Sequence, residues 1–322
     1  MSAPQVSVII PAFNAGSTIA ATLRSVFDQT YRDFEIIVVD DGSSDDTGDQ
    51  VSAFGDRVVY IRQPNGGPAR ARNVAIDRAR GRYIALLDAD DAWMPEKLQR
   101  QMEYFEEFPQ SGLVHAATVV DAAPLSAIHA RAGVVAGRPA FEPPRHVFAE
   151  VFHGTIVVQA LTAIAPRAVV VDVGGFDERR EIHVEDWDLW LRIAARHPLG
   201  YVPERLAVYR PGGGMSGAFE KTFRGQELVI AKTMPLCAAH CVRQRGDVDA
   251  CVRERKAVLY GELAYLRFWT GNMEGAADAY RRAIACGLTT PRARAYRLAA
   301  ATLARLPVRA ISQVKKATAR GS

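Results

Sequence analysis

Over residues 6–90 the hydrophobic pattern switches repeatedly between two periods, and no other feature of the 322-residue chain restricts its fold as much. Val6-Ser7-Val8-Ile9-Ile10 reads as a strand stopped by Pro11, after which Ile19, Leu23, Val26 and Phe27 recur at helical spacing. Residues 34–39 are apolar with little alternation, as in a parallel strand covered on both faces. A helix over 45–54, a strand over 58–61, a helix over 68–79 and a strand over 83–87 continue the series. Such alternation predicts an α/β fold, a doubly wound and mostly parallel sheet. Ligands of such sheets bind beyond the carboxyl ends of the strands, which here are residues 11–14, 40–46 and 88–91.

The pattern then weakens. Residues 122–144 are rich in Ala, Gly and Pro and read as a mobile insertion. Strand-like sequence returns over 156–164, a helix is expected over 186–195 and a short strand over 201–209. Beyond residue 219 Ala, Leu, Arg and Glu dominate, so the expected organisation is a catalytic domain over 1–218 and a helical appendage with a basic tail over 219–322. Residues 264–288 resemble a single tetratricopeptide-type helix pair.

Three acidic constellations carry candidate chemistry. Asp40-Asp41-Gly42-Ser43 follows a buried strand, where a carboxylate can accept hydrogen bonds from a nucleoside; a plain turn with a helix cap behind it reads equally well. Asp88, Asp90 and Asp91 crowd together after another strand and call for a hard cation such as Mn²⁺ or Mg²⁺, or for a solvated acidic turn. Glu185-Asp186-Trp187-Asp188-Leu189-Trp190 puts acids in the first turn of a helix, where its dipole favours them. Trp187 and Trp190 serve either as an aromatic wall for a sugar or as core.

In order along the chain, Val6-Ser7-Val8-Ile9-Ile10-Pro11-Ala12-Phe13-Asn14, Asp40-Asp41-Gly42-Ser43-Ser44-Asp45-Asp46-Thr47, Gly66-Gly67-Pro68-Ala69-Arg70-Ala71-Arg72-Asn73, Asp88-Ala89-Asp90-Asp91, Gly174-Gly175-Phe176-Asp177 and Glu185-Asp186 resemble the family-2 glycosyltransferases over about residues 5–217. The resemblance implies the nucleotide-diphospho-sugar transferase (GT-A) fold and transfer of a sugar from a nucleoside diphosphate with inversion. Pro11 and Phe13 would line the base pocket, Asp41 would pair with a uracil edge with Asp40 beside it, and Gly67 and Arg70 would belong to the donor site. Asp88 would lie by the ribose, Asp90 would bind Mn²⁺ or Mg²⁺ and Asp186 would be the catalytic base, with Glu185, Trp187, Trp190 and Arg210 at the acceptor or in a lid. Many relatives carry a histidine shortly after the Tyr-Arg pair; this chain has Tyr209-Arg210-Pro211-Gly212-Gly213-Gly214 instead. The expected function is synthesis of a surface polysaccharide from a UDP-sugar donor and a glycan or glycolipid acceptor. A sugar nucleotidyltransferase, or an inactive binding protein using its helices, is the alternative.

Composition narrows the partners. The net charge is +4, but residues 287–322 hold eight basic and no acidic side chains, leaving 32 basic against 36 acidic residues before them. A mildly acidic body does not suit nucleic acid, and the basic tail suits either contact with an anionic membrane face or a solvated helix. Dinucleotide and P-loop glycine motifs are missing, since Asn65-Gly66-Gly67-Pro68 fits neither. Cys237, His240, Cys241 and Cys251 match no common zinc spacing. No apolar run approaches the ~20 residues of a membrane span, and the opening residues read as neither secretory nor transit signal. The expected location is therefore cytoplasmic, on the inner face of the membrane if the tail binds lipid, with the four cysteines as thiols.

Overall fold

The computed structural model describes residues 3–120, 140–210, 219–240 and 247–303. Two compact units, residues 1–218 and 219–322, divide the chain. In the first, β1 (Val6–Ala12), β2 (Phe34–Asp40), β3 (Val59–Arg62) and β4 (Tyr83–Leu86) alternate with α1 (Ile19–Phe27), α2 (Thr47–Ser52) and α3 (Pro68–Arg78). All three pairings among these strands are parallel, with Val6 opposite both Phe34 and Tyr83. The continuous Val and Ile runs of β1 and β2 are buried on both faces because helices cover both sides of a parallel sheet. Helix α1 begins after a turn over residues 16–18, and Thr18 donates its hydroxyl to the Ala15 carbonyl.

The second half of the sheet is mixed. β5 (Ala92–Trp93), α4 (Lys97–Glu107), β6 (Leu113–Val120), α5 (Phe148–His153), β7 (Ile164–Pro166), α6 (Arg167–Asp172), α7 (Glu185–Ala194) and β8 (Leu199–Tyr209) follow in order. The eight strands lie in the order β3-β2-β1-β4-β7-β6-β8-β5, with β7 antiparallel to both β4 and β6. The strand expected over 156–164 is corrected to a 3₁₀ turn at Ala160–Thr162 and the three residues of β7. Its apolar residues are fixed by side-chain tethers: the buried Gln101 amide donates to Thr162 O and the Trp93 indole to Leu161 O. Most of the Ala-Gly-Pro insertion, 121–139, lies outside the described residues.

The second unit contains α8 (Phe219–His240), α9 (Val248–Thr270), α10 (Met273–Ala285) and α11 (Pro291–Leu303). Gly271 at φ 97° ends α9, and the Asn272 side chain accepts from Gly275 N–H to open α10. Buried Cys237 and Cys251 meet at 3.2 Å between α8 and α9; Cys241 lies outside the described residues. No helix among the described residues is long and apolar enough to cross a membrane.

One core residue breaks the pattern. Lys97, at the start of α4, is fully buried with its ammonium 4.0 Å from the Trp93 ring centre and no hydrogen-bond partner among the described residues. Burial holds its pKa well below the ordinary lysine value. The unfolded chain therefore binds a proton that the folded chain binds less tightly, which penalises folding below the unfolded pKa of about 10.4. Lys97→Met should raise stability at pH 7 by about 1 kcal/mol or more, with the gain shrinking as pH approaches 10. Urea unfolding across this range checks it; a destabilised variant would mean that the contact with Trp93 outweighs desolvation.

Candidate active site

The carboxyl edge of β1 and β2 is built around two adjacent acids. Asp40, the last residue of β2, is 1% exposed, accepting Ser43 N–H at 2.8 Å on one oxygen and the Tyr60 hydroxyl at 2.5 Å on the other. Burial raises its pKa, but these donors outweigh burial and leave it below the ordinary value. The Tyr60 phenol is pushed up to about 12 by burial and by the same hydrogen bond. Asp41 turns to the loop after β3, accepting Gln63 Nε2 at 2.7 Å, Gly66 N–H at 2.8 Å and Gly67 N–H at 2.7 Å. Gly42 is held at φ 83° against the Asn65 backbone, and Gly67 at φ 91° leads into Pro68 at the start of α3. A carboxylate offers about four acceptor positions, so Asp41 keeps about one for a group outside the protein.

Beside this hub, Phe13 is 54% exposed at the end of β1 and Pro11 is half-buried. Asn14, at φ 50°, accepts Ser44 N–H at 2.9 Å and ties the loop after β1 to the loop after β2. Arg70 is exposed and crosses over Gly66, where a Cβ would collide with its Cδ; it meets no acid among the described residues.

The acids after β4 are joined to those of α7 by one arginine. Arg72, on α3 and 5% exposed, donates from Nη2 to Asp88 Oδ1 at 2.7 Å and from Nη1 to Glu185 Oε1 at 2.6 Å. Its guanidinium lies 5.4 Å from the Phe176 ring centre, and its buried Nε has no hydrogen-bond partner among the described residues. Burial would favour the neutral form, but Asp88 and Glu185 more than offset it and keep the guanidinium charged. Next along α3, Asn73 donates to Phe176 O and Glu178 Oε1 and accepts Phe176 N–H, fixing the Gly174-Gly175 turn beneath Arg72. Asp88 and Asp186 are thereby brought into the same electrostatic neighbourhood.

Asp186 is half-buried; Oδ1 accepts Trp187 N–H at 2.7 Å, and Oδ2 has no donor among the described residues. Burial first, and then Glu185 and Asp88, push its pKa up to about 6, against the opposing pull of Arg72. Half-buried Asp90 accepts from no other side chain among the described residues; burial and Asp88 raise its pKa. Asp91 is 1% exposed and accepts Arg210 N–H at 2.9 Å, and burial with help from Asp88 and Asp90 pushes it up to about 7. Among the described residues no three His, Cys, Asp or Glu side chains converge as a ready metal cage. Asp90, a carboxylate without donors beside other acids, nevertheless suits a hard cation that keeps waters and substrate oxygens in its shell.

The expected site residues separate on this geometry. Pro11, Phe13, Asp41 and Gly67 gather at one edge, and Asp88 and Glu185 meet through Arg72, with Asp186, the residue after Glu185, within electrostatic reach. Trp190 is corrected to the core, 2% exposed with its indole donating to Val158 O, so it forms no wall for an acceptor. The Trp187 indole donates to Val151 O, and Glu185 serves Arg72 instead of solvent. The glycine-rich stretch after Arg210, where relatives carry the histidine, lies outside the described residues. Arg72 and Asn73 carry no sequence signal for their roles because their partners are distant along the chain, whereas Asp91 belongs to the crowded acids that the sequence singles out for a cation or a solvated turn.

The profile of glycosyl transferase family 2 matches residues 7–156. TuaG of Bacillus subtilis, named as a teichuronic acid biosynthesis glycosyltransferase, is 47% identical over 109 residues, 32% of this chain and 43% of that protein. WfaP of Escherichia coli, a UDP-Glc:alpha-D-GlcNAc-diphosphoundecaprenol beta-1,3-glucosyltransferase, is 46% identical over 103 residues, 31% of this chain and 41% of that protein. The chain thus spans less than half the length of each. Among solved structures, Staphylococcus aureus TarS 1-349 with UDP-GlcNAc superimposes with a TM-score of 0.63 at 18% identity, covering 92% of this chain and 89% of that one. The mannosyltransferase PcManGT of Pyrobaculum calidifontis with GDP-Man and Mn²⁺ gives 0.59 at 19% identity, covering 96% and 83%. With its parallel half-sheet, its acidic strand ends and these likenesses, the chain belongs to glycosyl transferase family 2.

Proposed function

We propose that the chain transfers a sugar with inversion from a UDP-sugar to a hydroxyl of a glycan or lipid-linked glycan, in the synthesis of a surface polysaccharide. The observation that carries the reading is the Arg72 bridge, which sets Asp186, a carboxylate of raised basicity with one free oxygen, beside the acids that follow β4. Uracil would lie between Phe13 and Pro11 with its N–H on the remaining acceptor position of Asp41, and the Gly66-Gly67 backbone would border the donor. Asp88 would face the ribose, with Arg70 reaching the diphosphate. Mn²⁺ or Mg²⁺, held by Asp90 and by diphosphate oxygens, would supply Lewis-acid stabilisation of the leaving group. WfaP bears a UDP-glucose name, and the neighbours carry UDP-GlcNAc or GDP-Man with Mn²⁺, which supports this donor class.

In the reaction Asp186 Oδ2 takes the proton of the acceptor hydroxyl. The hydroxyl oxygen bonds to the anomeric carbon from the face opposite the diphosphate, and the carbon–oxygen bond to UDP breaks with its electron pair on the diphosphate. Trp187 N–H on Oδ1 keeps Oδ2 available. Residues 1–218 would be the catalytic domain. Residues 219–322 would be an appendage whose basic tail touches an anionic cytoplasmic leaflet. A nucleotidyltransferase would instead release pyrophosphate and leave Asp186 idle.

Asp186→Asn should lower sugar transfer by roughly 10² to 10⁴ while UDP binding persists. UDP release from a panel of nucleotide sugars with Mn²⁺, set beside a UDP thermal shift, measures both; near-normal transfer by the variant would remove the base assignment. The wild-type rate should fall as pH drops through about 6, where Asp186 takes up a proton. Stability should respond in the opposite sense. Because the folded pKa lies above the unfolded value of about 3.9, the charged form penalises folding once pH rises through about 6. Asp186→Asn should therefore melt higher than wild type at pH 8 and alike at pH 4.

Arg72→Met should destabilise the first unit by about 3–5 kcal/mol, because it leaves Asp88 and Glu185 facing each other uncompensated. Arg72→Lys should recover part of that loss, since a point charge cannot span both carboxylates as a fork does. Urea midpoints of the two variants decide; equal stability of Arg72→Met and wild type would mean that the bridge is unimportant.

A further inference from the structure

Away from the acids of β4 and α7, the same unit holds a cavity of about 310 Å³, at the lower end of the volumes that ligand sites occupy. Its floor is a cross-strand pair on one face of the sheet, His115 of β6 opposite Tyr201 of β8, with ring centres 4.8 Å apart. Both lie in the first half of their strands. Ala85 and Val114 both pair with Ile164, and Val114 pairs with Gly200, so His115 and Tyr201 stand about level with Leu86 at the end of β4, yet none of the lining residues is one of the acids that follow β4 or open α7. The polar residues of the lining include Arg145, Glu142 and Thr155, while Val157 stands 70% exposed and Tyr201 45% exposed beside them.

The chemistry of this lining selects its guest. Arg145 faces Glu150 at 3.7 Å with Glu142 also in the lining, and burial pushes the His115 imidazole down to about 4, so the site offers no excess positive charge at neutral pH. That disfavours phosphates and other anions. Exposed aromatic and aliphatic surface next to charged hydrogen-bonding groups suits a compact, neutral molecule with one apolar face and a rim of hydroxyls. A pyranose ring has that form. The lining is also tied to the reacting element, because residues 155–157 lie between two carbonyls, Val151 O and Val158 O, that accept the indole N–H groups of Trp187 at 2.9 Å and Trp190 at 3.1 Å. The tryptophans beside Asp186 thus support the cavity wall.

We infer that this cavity is an accessory sugar-binding subsite, in which a neutral hexose unit stacks on Tyr201 and hydrogen-bonds Arg145, Glu142 and Thr155. It rests on the glycosyltransferase reading for its purpose, which is to retain a glycan acceptor by a residue other than the one that reacts.

Saturation-transfer NMR with the methyl glycosides of β-glucose, β-galactose, α-mannose and N-acetyl-β-glucosamine tests it on the full chain saturated with UDP and Mn²⁺. At least one glycoside should receive saturation while UDP is bound, and Tyr201→Ala and Arg145→Ala should each weaken that binding roughly two- to tenfold. The UDP thermal shift should be unchanged in both variants, which establishes that they fold. No transfer to any glycoside, transfer equal in the variants, or transfer abolished by UDP would overturn the subsite. Failure of UDP itself to bind would count against the proposed function, while the effect of Tyr201→Ala on the glycoside signal would still decide the cavity.

Discussion

The buried guanidinium of Arg72 is the contact on which the arrangement of acids depends. Removing an arginine and two carboxylates from water is costly, and an ion cluster of this kind is no source of net stability compared with apolar packing. What it does supply is position. One planar fork reaches Asp88 at the end of β4 and Glu185 at the start of α7, so the two segments have little freedom to separate. Asn73, the next residue, holds the turn that carries Phe176 against the guanidinium. Helix α3 thereby fixes both halves of the unit with two adjacent side chains.

Placement by burial has electrostatic consequences that differ from acid to acid. Asp40 has two good donors, and its pKa falls despite burial. Asp90 and Asp91 are crowded with Asp88 and short of donors, and theirs rise. Asp186 has one backbone donor and two acidic neighbours, and rises as well. The number of donors therefore separates acids that hold the scaffold from acids whose charge is left uncompensated. Uncompensated acids lower stability, and a chain that retains them gains only if a ligand or a reaction uses them.

Legibility in the sequence followed the range of the interactions. β1, β2 and α3 were readable because parallel strands buried on both faces need unbroken apolar runs, and because Gly67-Pro68 marks a helix start. Each of the acidic strand ends was visible for the same reason. The strand expected over 156–164 gives way to a 3₁₀ turn and to β7 at 164–166 because its apolar residues are packed through the side chains of Trp93 and Gln101, which no local pattern encodes. Arg72 went without a role since its partners lie 16 and 113 residues away. The period of α7 left Trp190 ambiguous between core and site, and only the packing of the 151–158 segment against it places the indole inside.

Asp40 and Asp41 illustrate why neighbouring acids can take different parts. Successive side chains leaving a strand point to opposite sides, so the first is directed at β3 and Tyr60 and the second at the loop over residues 63–67. Donors on the two sides differ in kind. Tyr60 and Ser43 hold Asp40 and lock the turn, whereas Asp41, 3% exposed, gathers three donors from the loop after β3. Exchanging Asp41 for Asn would keep the size but turn half of the group into a donor, setting an N–H against Gly66 or Gly67 and undoing the loop that borders Phe13. The loop over residues 63–67 rests on this one side chain, and under the proposed function the recognition of a base edge would rest on it too, so that neither could change without the other.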